Sequence, residues 1–378
     1  MNQAELPPQG VQEKSEKEAK IEVAERSLRS FLALQPGERV LIIVDEPTNK
    51  ETIEIIRQAL EKIGNKYTVF SNGPEVTVKE IKKLLKSHQV VVDLASRAYD
   101  SSEDIYDYIE ETNNRLLTLL NPEPDLFNAG GPLNEDLGAM KERLNRMESV
   151  LKQATGFHIT SSYGTDLVVP MRMAGERTWA KETSEINRPG QWDNWPGGEI
   201  FITPDETKVN GVLYLPILET SIASDQGVDQ IIRLDIKDGT IVSIQGGASA
   251  EKLRQALMSK TAEEQKETGE PWNVLRIAEI GFGANSLARS YALDPEKPYD
   301  APGTNVAEAE KRHGTMHLAF GDAKHGEDGT EGFNEAVSHY DFVLPRNGLT
   351  VEMFTHENDM RTGKNGRKIF DEGRINFG

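Results

Sequence analysis

The sequence predicts an α/β N-terminal domain with a parallel sheet, followed by a β-rich α+β domain built to bind metal. Three observations carry that prediction. Up to about residue 155, short apolar runs alternate with amphipathic stretches of helical period, the grammar of a parallel sheet covered on both faces. Beyond it, short strands follow one another between turn signals. Within those later strands, acids and histidines interrupt otherwise apolar runs.

Residues 1–18 are polar and rich in Gln, Glu, Lys and Pro, the composition of a mobile arm. Ile21, Val23, Ala24, Leu28, Phe31, Leu32 and Leu34 recur at helical spacing, and Pro36-Gly37 ends that helix. Residues 40–44, Val-Leu-Ile-Ile-Val, form an apolar strand, and Asp45-Glu46-Pro47-Thr48 is the loop after it. A helix over 50–64, a strand over 67–70, a helix over 78–87 and a strand over 90–94 continue the alternation. A strand over 115–120 and a long helix over 135–154 complete the first domain, 19–155. The second domain, 156–378, opens with strands over 157–162, 166–169, 199–203, 211–215, 231–236 and 240–245. Tyr163-Gly164-Thr165, Pro204-Asp205-Glu206 and Lys237-Asp238-Gly239 supply turns between them, and 250–268 is helical.

Composition excludes several classes of function. A net charge of −19 repels phosphate backbones and anionic membranes, so nucleic acid and membrane surfaces are not expected partners. With no cysteine, disulfides, thiolate metal sites and Cys nucleophiles are out, and any metal must be held by His, Asp or Glu. No run is long and apolar enough for a membrane span, and Met1 to Pro8 has no apolar core of a signal peptide, so the cytoplasm is the expected compartment. No glycine fingerprint follows 40–44, and Gly281-Phe282-Gly283 lacks the third glycine of a dinucleotide loop.

Four segments carry the chemistry. In Trp192-Asp193-Asn194-Trp195-Pro196-Gly197-Gly198-Glu199, a Pro-Gly-Gly turn feeds a strand that starts with an acid. Glu279 lies inside the apolar run 277–283, a costly place for a carboxylate unless it is paired or bound to a cation. His317 interrupts the apolar strand before Gly321, and His339 and Asp341 stand two apart on one strand face, able to chelate one divalent ion. Each also has a structural reading: Glu199 as an exposed strand end, Glu279 paired with Arg276 or Arg289, His317 as a core histidine on a backbone carbonyl. Their concentration in one β-rich domain, in a chain with 7 histidines, favours a single site. Three carboxylates and two imidazoles would suit two adjacent cations with one carboxylate bridging.

These residues resemble the metallo-aminopeptidases of the aminopeptidase T and aminopeptidase S type. Pro196-Gly197-Gly198-Glu199-Ile200-Phe201-Ile202-Thr203-Pro204, Glu279-Ile280-Gly281, His317-Leu318-Ala319-Phe320-Gly321 and the His339/Asp341 pair match that family's motifs in order. The resemblance implies an N-terminal α/β domain, a β-rich metal domain, a homodimer and two divalent ions (Zn, Mn or Co) on Glu199, Glu279, His317, His339 and Asp341, with Glu279 as the bridge. It leads to the expectation of a two-metal hydrolase that cleaves N-terminal peptide bonds, with no general base singled out. Lys324 stands where those peptidases have a tyrosine near the metals, so it and the tryptophans Trp192 and Trp195 are candidate contacts to a peptide or small-molecule substrate.

The segment Gly190-Gln191-Trp192-Asp193-Asn194-Trp195-Pro196 is also similar to 2,5-dihydroxypyridine dioxygenases, which resemble these peptidases in fold. That resemblance implies one Fe(II) held by two histidines and an aspartate, and oxidative cleavage of a small aromatic or heterocyclic acid. His339 and Asp341 match two of those ligands; the first histidine falls on Glu279, and an apolar residue of that family falls on Glu199. Retention of Glu199, Glu279 and His317 favours the hydrolase over the dioxygenase. A non-catalytic metal-binding paralogue is the third reading.

Overall fold

The computed structural model describes residues 15–73, 76–95, 102–119, 122–172, 176–220, 224–225, 228–268, 273–290, 306–324, 332–336 and 338–377. Most of the expected N-terminal arm lies outside the described residues.

The first part of the chain alternates as its sequence requires. Helix α1 (Glu16–Phe31) is opened by a Ser15/Glu18 capping box that satisfies two backbone donors at its first turn. Strand β1 (Arg39–Val44), α2 (Lys50–Ile63), β2 (Lys66–Ser71), α3 (Val78–Leu85), β3 (Val90–Asp93), α4 (Ser102–Glu110) and β4 (Arg115–Thr118) follow. Asn49 caps α2, and Gly64 ends it in the left-handed conformation that a glycine adopts without a Cβ clash. The strands pair in parallel in the order β2-β1-β3-β4. The two-residue period of a strand divides β1 and β3 between two cores. Val40, Ile42, Val90 and Val92 pack with Leu28, Ile56 and Leu60 of α1 and α2 on one face. Leu41, Ile43 and Val91 pack with Ile81, Leu85, Ile105 and Ile109 of α3 and α4 on the other.

Helix α5 (Leu137–Leu151), N-capped by Asp136, leads into the second part. Its strands are β5 (Gly156–Ser161), β6 (Asp166–Pro170), β7 (Ala180–Glu182), β8 (Trp192–Asn194), β9 (Glu199–Ile202), β10 (Asn210–Leu215), β11 (Leu218–Glu219), β12 (Ser224–Asp225), β13 (Ile232–Lys237) and β14 (Thr240–Gln245). After α6 (Ala248–Thr268) come β15 (Ile277–Gly283), α7 (Val306–Ala309), β16 (Met316–Gly321), β17 (His339–Leu344), β18 (Leu349–Phe354), β19 (Arg367–Asp371) and β20 (Arg374–Ile375). The Asp238-Gly239 turn joins β13 to β14 with both residues at positive φ, the geometry whose twist suits a two-residue hairpin. One strand returns: β8 pairs in parallel with β4, so the Trp192 segment forms the edge of the first sheet.

Two antiparallel sheets face each other across the main core. One has the order β14-β13-β10-β6-β5-β18-β19-β20, the other β17-β16-β15-β9-β7. Ile200, Ile202, Ile280, Phe282, Leu318, Phe320 and Phe342 of the five-stranded sheet pack against Phe157, Ile159, Leu167 and Val169 of the other, with α5 and α6 contributing Leu144 and Leu253. Since neighbouring residues point to opposite faces, the alternate set on β9, β15, β16 and β17 is turned away from this core. That set contains Glu199, Glu279, His317, His339 and Asp341.

Candidate metal centre

Register brings those five residues together. Glu279 lies opposite Ala319, which lies opposite Asp341; Gly281 lies opposite His317; Gly283 lies opposite Glu199; and Gly321 lies opposite His339. Small residues therefore alternate with the polar ones, and the long side chains converge over them. A Cβ built on Gly281 would fall on Nε2 and Cε1 of His317, so glycine is what lets that ring lie flat across β15.

His317 Nε2 is 2.8 Å from Glu279 Oε1, 3.3 Å from Glu199 Oε2 and 3.9 Å from Asp341 Oδ1. His339 Nε2 is 3.7 Å from Glu279 Oε2 and 3.5 Å from Asp341 Oδ1. Its Nδ1 lies 2.7 Å from the Asp322 carbonyl, a bond that as an N–H donor fixes the ring and aims Nε2 at the carboxylates. Both imidazoles thus address the same two carboxylates. Glu279, His339 and Asp341 offer ligand atoms all within 4.8 Å of one another, as do Glu199, Glu279 and His317.

A second group adjoins the first. Lys311, after α7, is 1% exposed and donates to Glu199 Oε1 and Glu310 Oε1, both at 2.7 Å, with Glu182 at 3.3 Å. Glu182 lies directly opposite Glu199 across β7 and β9. Asp193 accepts from the backbone N–H groups of Ser184 and Asn194, and the Lys311 charge and a side-chain hydrogen bond with Glu182 both act on its carboxyl.

Six carboxyl groups, Glu182, Asp193, Glu199, Glu279, Glu310 and Asp341, therefore surround one lysine and two imidazoles. That excess of negative charge shows in their protonation. Burial pushes Glu182 well up, Asp193 up to about 7 and Glu310 up to about 8, with the charge of Asp341 adding to the effect on Glu310. Burial would lower the imidazoles, but hydrogen bonding to Glu279 and the nearby carboxylates outweigh it and raise His317 to about 9. Asp341 likewise raises His339 to about 10. Asp341 resists burial because His339, then His317 and Lys311, hold its carboxyl well below the usual range.

The donor set fits a divalent cation. It offers nitrogen and oxygen ligands suited to Zn, Mn or Fe(II), brought within 4.8 Å of one another in two groups that share Glu279. A cation between the imidazoles and carboxylates would be held by His317 and His339 in their neutral form, so its binding would release protons. Gly281→Ala tests this packing. Its methyl group displaces the His317 ring, and metal affinity is expected to fall by about 10–100-fold, the range seen when a ligand loses its orientation. Titration calorimetry reads that loss, and unaltered affinity would mean that His317 does not meet the ion.

The family model described as 2,5-dihydroxypyridine 5,6-dioxygenase matches residues 21–353. The chain belongs to that family. The 2,5-dihydroxypyridine 5,6-dioxygenase of Pseudomonas putida strain KT2440 is 28% identical over 232 residues, which is 61% of this chain and 61% of that protein. A solved structure of the Pseudomonas putida KT2440 dioxygenase superposes with a TM-score of 0.67 at 19% identity, covering 96% of this chain and 98% of the other. Wild-type AmpT from Thermus thermophilus superposes with a TM-score of 0.64 at 15% identity, covering 96% and 100%. The α/β-plus-β-rich architecture is thus shared with both, and the likeness to the peptidase is one of fold.

Membership of the dioxygenase family corrects the expectation of a metal-dependent hydrolase of aminopeptidase type, and with it the protease reading. Glu199, Glu279 and His317 have the local pattern of ligands to two ions, but Lys311, remote from Glu199 in sequence, occupies its Oε1. The arginines considered as partners of Glu279 are engaged elsewhere: Arg276 donates to the Glu206 and Asp238 carbonyls, and Arg289 pairs with Asp125 and Glu308. Trp195 is 2% exposed and packs edge-on against Phe31 and Phe127, so its ring is accounted for by the first core. Trp192 stacks on Tyr106 and donates Nε1–H to Glu110. Lys324 lies 3.8 Å from Glu335, and residues 325–331 of the adjacent acidic loop lie outside the described residues. Among the described residues no helix is long and apolar enough to cross a membrane.

Proposed function

We propose that this family member opens a small hydroxylated aromatic or nitrogen-heterocyclic ring with dioxygen, using one Fe(II) held by His317, His339, Glu279 and Asp341. The observation that carries the reading is that both imidazoles direct Nε2 at the same pair of carboxylates. Two histidines with carboxylate and open positions form the ligand type of non-haem Fe(II) oxygenases. Glu279 stands where the dioxygenase pattern has a histidine, and His317, across β15 and β16, brings the second imidazole to the cluster from a neighbouring strand. When bound, the iron supplies the redox chemistry that activates dioxygen toward the ring.

The chain's own residues order this site. The Asp322 carbonyl fixes the His339 tautomer, Gly281 and Ala319 leave space for the converging side chains, and Lys311 holds Glu199 to one side. Glu310, its pKa raised to about 8 and one carboxyl oxygen without a partner, can hold a proton close to Asp341, where a hydroxylated ring would lose one.

The test uses the full chain, freed of metal and reloaded anaerobically with Fe(II), Zn(II) or Mn(II). With 2,5-dihydroxypyridine and related dihydroxylated rings as substrates, the Fe(II) protein is expected to consume dioxygen in step with loss of ring absorbance. The Zn(II) form should be inert. Ring loss that proceeds equally without oxygen, or no oxygen uptake with any of these rings, would sink the proposal.

A further inference from the structure

The Lys311 ammonium sits where a cation site would be expected. A lysine has three N–H donors, and here three carboxylates receive them: Glu199 Oε1 and Glu310 Oε1 at 2.7 Å and Glu182 Oε2 at 3.4 Å. These acids come from different strands and from the segment after α7, so the convergence is tertiary. Burying an ammonium and three carboxylates together is expensive unless each charge is compensated. The hydrogen bonds leave one oxygen of each acid over: Glu182 Oε1, 3.3 Å from the ammonium, Glu199 Oε2, 3.3 Å from His317 Nε2, and Glu310 Oε2. The acids therefore retain ligand capacity that the ammonium does not use.

We infer that Lys311 serves as a built-in cation in place of a second metal ion, and that Glu182, Glu199 and Glu310 form a latent divalent-cation site. The oxygens already surround one point; reaching a metal distance of about 2.1 Å requires an inward movement of about 0.6 Å by Glu199 and Glu310 and about 1.2 Å by Glu182. Oxygen-only ligation suits a hard ion such as Mn(II). With Lys311 present, the point is filled and part of the negative charge neutralised, so a second ion is excluded by volume and by charge. The role of Glu199 follows: it orients Lys311 and is not spent on the first metal. The inference rests on the proposed metal at Glu279, His317, His339 and Asp341 only for its reference count.

The experiment compares Mn(II) bound per chain, by elemental analysis after equilibrium dialysis, in wild type, Lys311→Ala and Lys311→Arg. Lys311→Ala is expected to hold one more Mn(II) than wild type, with the electron paramagnetic resonance of two neighbouring ions. Lys311→Arg, which keeps the charge, should hold no more than wild type. If the first metal site were misassigned, wild type would bind none and Lys311→Ala would still gain one, so the two failures are distinguishable. Should Lys311→Ala unfold without metal, recovery of its circular dichroism on adding Mn(II) supports the latent site, and no recovery overturns it. A folded Lys311→Ala with the wild-type count overturns it as well, as does a second wild-type ion lost on Glu199→Ala.

Discussion

Asp341→Asn is expected to leave the chain folded while stripping it of metal and of oxygen-dependent activity. Asparagine keeps the volume on β17, and the neighbouring apolar side chains of that strand, Tyr340 and Phe342, face the opposite core, so the sheet has no reason to rearrange. What disappears is the negative charge that both His317 and His339 address. Removing one partner from a buried charge cluster costs about 3–5 kcal/mol, or roughly two to nearly four decades in affinity for the cation. Dialysed against micromolar Fe(II), wild type should retain its metal and the variant should lose nearly all of it. Oxygen uptake should become undetectable, while the circular dichroism of the two metal-free proteins stays the same and the variant's thermal midpoint falls with the loss of the buried His339–Asp341 pair. A variant that retains full metal would remove Asp341 from the ligand set, whatever its activity.

The residues that converge on the site were legible because each breaks a pattern. Glu279 and His317 interrupt apolar strands where a polar side chain is costly, and His339 and Asp341 repeat at the period of a strand face. The parallel sheet was legible for the same reason, since β1 and β3 are apolar on both faces, and α1 and α2 carry one apolar stripe each. In sequence, Gly281 and Gly283 form an incomplete dinucleotide signature, and Gly281 closes the Glu279-Ile280-Gly281 motif. Their physical role, room for His317 and for the close-packed backbone of Glu310 and Arg312, exists only after β15, β16 and the 306–313 segment are assembled. Lys311 and Glu310 left no signal at all. In sequence they belong to a charged stretch, Glu308 to His313, of the kind that is usually solvated, and only tertiary packing turns it inward. Glu182 was invisible for a related reason: it lies in a polar segment whose pairing with Glu199 is long-range. The return of β8 to the first sheet likewise depends on a partner more than seventy residues earlier, Leu116 to Thr118, and no local pattern encodes that.

Glu206→Ala should be among the most destabilising single substitutions outside the metal cluster. Glu206 is fully buried beyond the end of β9, and its carboxylate ties three pieces of chain together. Arg177 donates to both oxygens at 2.9 and 3.0 Å, in the planar fork geometry that suits a carboxylate. The backbone N–H of Phe333 donates to Oε1 at 2.7 Å. Arg177 continues to the Thr203 and Pro204 carbonyls, so the pair anchors the exit of the strand that carries Glu199. Truncation leaves Arg177, 10% exposed, without its counter-charge, and a buried pair broken from one side typically costs about 3–5 kcal/mol. Glu206→Gln keeps the volume and one acceptor oxygen, enough for the Phe333 N–H and one Arg177 N–H, but loses the charge and the second acceptor, so a smaller loss is expected. Urea unfolding followed by tryptophan fluorescence measures both. The double variant Glu206→Ala/Arg177→Ala should be little worse than Glu206→Ala alone, because the orphaned guanidinium, not the lost bond, carries most of the cost. Strictly additive losses in that cycle would show that the two residues stabilise the chain independently, and would remove the ion pair as the reason.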